Sequence, residues 1–201
     1  GDRAPGGALV SRASSRGIDV AGVELKRASK LEYQEAVALF NKKAKKGVAA
    51  LQKIGRLGRE PAEIAAFLRS APGLDKGVVG DYLGERDDLN VAVMHAYAES
   101  MDFAGLALDE AIRAFLAGFR LPGEAQKIDR LMEKFAELYC RQNPGAYKSA
   151  DTAYVLSFSV IMLNTDLNNP AITPKITLPE YVASCHSPPS ILNSTLSTLP
   201  I

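Results

Sequence analysis

The chain has 201 residues, 47% of them hydrophobic and 23% charged, with a formal net charge of +1. This is enough apolar material for one sizeable core, and a near-neutral balance without basic residues interleaved among aromatics gives no electrostatic reason to expect nucleic acid as a partner. Cys140 and Cys185 lie far apart, and neither they nor His95 and His186 show metal-ligand spacing, so reduced thiols, no metal site and no cofactor are expected.

Residues 1–25 are rich in Gly, Ala, Ser and Arg without apolar periodicity and read as a flexible lead-in. The first residue is Gly1 and no leader-like segment follows, so a piece of a longer cytoplasmic protein is expected. The fold is expected to open near Ser29, where Ser29 and Glu32 have capping-box spacing ahead of Leu31, Val37 and Phe40. Lys42, Lys43, Lys45 and Lys46 before Gly47 read as the cationic end of that helix, in preference to an anionic-membrane patch. Further helices are expected over 48–54, 61–68, 75–83 and 89–101, with Pro61 in a first helical position and Asp75 and Asp87 as caps. No stretch alternates with period two, so the domain is all-α.

Leu108, Ile112, Phe115 and Phe119 then mark one apolar helical face, and Ile128, Leu131, Phe135 and Leu138 mark another. Between them, Pro122 cannot continue a helix and Gly123 tolerates backbone angles other residues avoid, which predicts a tight turn over 121–123. Glu124 falls at the start of the next helix, where a plain helix-start acid favoured by the helix dipole is the ordinary reading. Farther on, 152–165 carries no charged residue, and its apolar residues surround the helix instead of forming a stripe. A central helix buried on most sides is expected. A membrane span needs about 18 or more apolar residues, and Ser157, Ser159 and Asn164 interrupt this shorter run.

Two blocks carry a resemblance. Phe119-Arg120-Leu121-Pro122-Gly123-Glu124-Ala125-Gln126-Lys127-Ile128-Asp129-Arg130 resembles the first signature motif of the Sec-seven domain, the exchange module for Arf-family small GTPases. Ala150-Asp151-Thr152-Ala153-Tyr154-Val155-Leu156-Ser157-Phe158-Ser159-Val160-Ile161-Met162-Leu163-Asn164-Thr165-Asp166-Leu167 resembles the second. Leu39-Phe40-Asn41-Lys42-Lys43, Gly80-Asp81-Tyr82-Leu83-Gly84-Glu85-Arg86 and Ala92-Val93-Met94-His95-Ala96-Tyr97 extend the likeness over 26–184, most like the large brefeldin A-inhibited Golgi and endosomal class.

The resemblance implies a right-handed superhelix of about ten helices and a guanine-nucleotide exchange factor without covalent chemistry. It implies an Arf-family GTPase as partner, bound with GDP or empty, and a cytoplasmic protein peripherally associated with Golgi or endosomal membranes through regions outside this chain. It further implies that Glu124 is a glutamic finger, repelling the β-phosphate of GDP, displacing magnesium and pairing with the lysine of the emptied phosphate-binding loop. Tyr154, Phe158, Ile161, Met162 and Asn169 match groove positions facing the GTPase switch regions. Arg120 and Asp129 are further candidates, for which a surface ion pair serves nearly as well.

Three departures stand out. Asn168 replaces the histidine usual before the second motif's asparagine, and Phe158 replaces the tyrosine of brefeldin A-sensitive members, although Ser159 and Asp166 match that class. From Cys185-His186-Ser187-Pro188-Pro189 the chain runs into a divergent Ser/Thr/Pro-rich tail, 185–201, so the closing helices are expected to be missing or altered, uncovering Leu156, Val160 and Leu163. A truncated Arf-binding module with weak or no exchange activity is therefore the alternative reading. A hydrolase using Glu124 and Asp129 is disfavoured, since they are off one helical row and no nucleophile, histidine or metal motif accompanies them.

Overall fold

The computed structural model describes residues 20–185, which form helices and connections and contain no strand. In chain order these are α1 (Val20–Lys42), α2 (Ala44–Lys53), α3 (Pro61–Ser70), α4 (Lys76–Gly84), α5 (Asp88–Glu99), α6 (Leu108–Leu116), α7 (Ala125–Gln142), α8 (Ala150–Asn168) and α9 (Leu178–Cys185). Nine helices among the described residues compare with about ten expected. The tail from His186 onward and the lead-in before Val20 lie outside the described residues.

Helix α7 is the hub. It packs on α4, α5 and α8, while α6 and α9 flank α8 and α1 pairs with α2. The reason is its apolar face, in which Ile128, Leu131, Phe135 and Leu138 are all fully buried. The opposing face of α6 supplies Ile112 and Phe115. Phe115 stands 5.2 Å from both Phe119 and Phe135 by ring centroid, and Phe103 meets Phe135 edge-on at 5.3 Å. Such offset and edge contacts add to what area burial alone supplies.

Four expectations about boundaries change. Helix α1 begins at Val20, so the lead-in stops short of residue 25 and Ser29 lies mid-helix, its hydroxyl accepting from Arg56 Nη2 at 2.5 Å instead of capping. Ala, Glu, Leu and Lys favour helix here without an apolar face to reveal it; Leu25 is 72% exposed. Gly47 is inside α2, where an added Cβ would sit 2.2 Å from Phe40 Cα, so it permits close approach of α1 and α2 and stops neither. The lysine run instead straddles the break at Lys43. Asp75 caps α4 by accepting from Gly77 and Val78 backbone N–H, whereas Asp87 occupies the N-cap of α5 but turns its carboxylate to Lys45 Nζ at 2.5 Å. Finally, Phe119 lies past the end of α6 although buried with its face.

The connection from α6 to α7 lies directly on α4. Arg120 backbone N–H donates to Lys76 O at 2.9 Å, and Lys76 Nζ donates to Ala117 O at 2.8 Å. A Cβ on Gly80 would sit 1.8 Å from Arg120 O. Replacing Gly80 by alanine gains about 0.5–1 kcal/mol of helix propensity, but overpacking against a backbone carbonyl that cannot rotate away costs about 1–3 kcal/mol. Gly80→Ala is expected to lower the urea-unfolding free energy by a net of about 1 kcal/mol; an unchanged or higher midpoint would contradict the close approach.

Candidate functional site

The corner sits between two buried anchors. Phe119 enters it fully buried against Tyr97, 5.7 Å away and edge-on, and Ile128 leaves it fully buried on the first turns of α7. Pro122 is buried while Gly123 and Glu124 are exposed, so the turn presents its acid outward. Glu124 occupies the N-cap position of α7 with extended backbone (φ −99°, ψ 119°), and its carbonyl accepts from Lys127 and Ile128 N–H. Its carboxylate caps no backbone N–H. It accepts from Lys127 Nζ at 2.8 Å instead, with its side chain 69% exposed.

Lys127 is the anchored member of that pair. Only 12% of its side chain is exposed, and Nζ also reaches Glu85 Oε1 at 3.0 Å, tying α7 to the end of α4. Burial opposes its charge, yet hydrogen bonds to Glu124 and Glu85 outweigh burial and hold its pKa above the ordinary lysine value. The Arg130 guanidinium donates to Gly84 O at the same joint.

Beside the corner, α6 and α8 enclose a groove of about 420 Å3, lined by Ile112, Leu116 and Leu121 on one side and Val160, Ile161, Leu163 and Leu167 on the other. Asp109, Arg113, Asn164 and Thr165 supply its polar part, and Asp109 accepts from Arg113 at 2.9 Å. The arrangement is an apolar trough with a polar rim, suited to receiving apolar side chains of a macromolecular partner.

The candidate residues fall at different depths. Ile161 lines this groove, and Met162 beside it is half-buried against the core. Tyr154 is half-buried and its hydroxyl donates to Asp129, joining α8 to α7. Phe158 is fully buried, 4.9 Å from the Tyr154 ring, and supports α8 from the core side. Asn169 ends α8, its Oδ1 accepting from Ala171 N–H at 2.9 Å and its carbonyl from Lys175 Nζ at 2.6 Å. Arg120 has an exposed side chain and a fixed backbone.

Helix α8 is less enclosed than its composition suggests. Ala153, Ser157, Phe158 and Ser159 are buried, whereas Leu156, Val160 and Leu163 are only half-buried. Helix α9 covers part of it, with Ser159 Oγ 3.3 Å from the Tyr181 hydroxyl. No helix among the described residues is long and apolar enough to cross a membrane.

A Sec7 domain family model matches residues 29–191. Brefeldin A-inhibited guanine nucleotide-exchange protein 3 of Arabidopsis thaliana is 57% identical over 172 residues, covering 86% of this chain but only 10% of that protein. Among solved structures, the Sec7p catalytic domain is 46% identical with a TM-score of 0.71, covering 84% of this chain and 95% of the other. A Sec7 domain bound to ARF1-GDP and brefeldin A is 35% identical with a TM-score of 0.75, covering 88% and 93% respectively. The chain belongs to the Sec7 domain family, and its fold is the helical fold of that family. It spans about a tenth of the length of the plant relative.

Gly80, Gly84, Glu85 and Lys127 hold the corner but were not singled out by sequence. The i,i+3 spacing of Glu124 and Lys127 was the one local signal available; the partnership with α4 is long-range. Tyr154→Phe, which removes the hydroxyl bonded to Asp129, is expected to cost about 1 kcal/mol of unfolding free energy, measured by denaturant titration. No loss would show that the α7–α8 contact does not depend on it.

Proposed function

We propose that this chain is an exchange domain that ejects GDP and magnesium from an Arf-family small GTPase, with Glu124 as the displacing acid. The observation that carries the reading is an exposed carboxylate on a rigid corner beside an apolar groove. A GTPase holds GDP through cationic elements that neutralise its phosphates, and an anion brought to that place competes for them. No bond is made or broken in the protein, so this is catalysis of exchange without covalent chemistry.

The groove divides the work with Glu124. Weakening nucleotide binding about 10⁴-fold requires about 5.5 kcal/mol of preference for the empty GTPase, more than one glutamate supplies. Ile161 and Met162 receive apolar switch residues, Tyr154 and Asn169 contribute polar contacts, and Arg120 and Asp129 bound the corner. Phe158 acts from beneath by fixing α8. Similarity to a brefeldin A-inhibited exchange protein and to a Sec7 domain bound to ARF1-GDP supports this partner. The setting that goes with this reading is Golgi or endosomal membranes, reached peripherally from the cytoplasm within a larger protein whose catalytic slice is 26–184.

Glu124→Lys is expected to abolish GDP release while retaining a complex with GDP-loaded Arf, because a cation there attracts the phosphates that glutamate repels. Release at the parental rate would remove Glu124 from the mechanism, and a parent chain that binds without accelerating release would favour the binding-module alternative. Met162→Ala is expected to weaken Arf engagement by about 1 kcal/mol or more with a smaller loss of stability. Unchanged affinity with a large drop in melting temperature would assign Met162 to the core alone.

A further inference from the structure

Lys127 has three properties together that a surface lysine on a helix lacks. Its stem is packed so tightly against α4 that a Cβ on Gly84 would sit 2.7 Å from Lys127 Cβ. Its side chain is only 12% exposed, and its ammonium group is shared between two carboxylates of unequal freedom. Glu85, 37% exposed, stands on the body of the domain just past α4, and Glu124, 69% exposed, stands on the corner.

We propose that Lys127 is a positioning residue for Glu124 and that Glu85 is the counter-charge that allows Glu124 to be released. This rests on the reading of Glu124 as the displacing acid. An unpaired glutamate side chain on an exposed corner samples many rotamers and must lose them on engagement. The bond to an anchored ammonium group removes part of that cost beforehand. The same bond does not trap the acid, because an ion pair with a largely exposed carboxylate is weak. When Glu124 moves to the partner's cationic site, Lys127 keeps its ion pair with Glu85, so a packed lysine is not left without a counter-ion. The corner therefore holds its acid firmly enough to aim it and loosely enough to give it up.

The two partners of Lys127 then have separable effects on exchange. Without Lys127 the acid is disordered; without Glu85 it is the sole counter-ion of a lysine with a packed stem and is held back. Both slow the step after docking, while the docking surface of α6 and α8 is untouched.

The test is GDP release from GDP-loaded Arf over a range of concentrations of this chain, with thermal unfolding of each variant. Lys127→Met is expected to lower the plateau rate about three- to tenfold, the scale of one side chain's ordering entropy, with the half-saturating concentration unchanged. Lys127→Arg should recover most of the rate, since it restores the cation. Glu85→Gln should also lower the plateau, and Lys127→Met combined with Glu85→Gln should be no slower than Lys127→Met alone, because Glu85 acts only through Lys127. A parental plateau in Lys127→Met, with Glu124→Lys inactive, would overturn the inference while leaving Glu124 in place. A loss that follows melting temperature across all variants and is not rescued by Lys127→Arg would overturn it too, making the joint merely structural. Activity in Glu124→Lys would remove the finger reading, and this inference with it.

Discussion

The close seating of the α6–α7 corner on α4 is the constraint on which the rest of the site depends. It exists because α4 presents backbone to the corner: Gly80 admits the Arg120 carbonyl and Gly84 admits the stem of Lys127. Two hydrogen bonds fasten it, from Arg120 N–H to Lys76 O and from Lys76 Nζ to Ala117 O. With the corner fixed at both ends by the buried Phe119 and Ile128, Glu124 projects from a rigid support although it lies in an exposed turn.

That support gives the proposed exchange its physical form. An acid on a flexible loop would lose in ordering entropy much of what it gained by meeting a phosphate-binding loop. Here the ordering belongs to the fold. The groove between α6 and α8 is built from the same elements, since α6 delivers the corner and α8 packs on α7, whose first residues follow Glu124. Docking apolar residues in the trough and delivering the carboxylate are therefore geometrically coupled, which is how binding energy at one place can be used at another.

What the sequence made legible follows the range of the interactions. The faces of α6 and α7 were read from spacing and are buried, because the 3.6-residue period is a local property that survives tertiary packing. The turn at Pro122 and Gly123 was equally local. Gly47 misled, since a glycine that ends a helix and one that lets another helix approach look alike in sequence; only the position of Phe40 separates them. The start of α1 escaped because its first turns have helix-forming composition with Leu25 facing outward, so no periodic face announced them. Helix α8, apolar all round, gave no sign of which positions are core. The fully buried Phe158 and the half-buried Met162 are distinguished by their neighbours alone. The Lys127–Glu85 pair joins separate helices and has no local signature.

The most direct measurement is the affinity of this chain for Arf as a function of nucleotide occupancy, by titration calorimetry with the GTPase stripped of nucleotide and then with increasing GDP and magnesium. Displacement by a carboxylate requires much tighter binding to the empty GTPase and a progressive loss of affinity as GDP is added, because the weakening is reciprocal. Affinity independent of GDP across the titration would contradict it, since a partner that binds both states equally shifts neither.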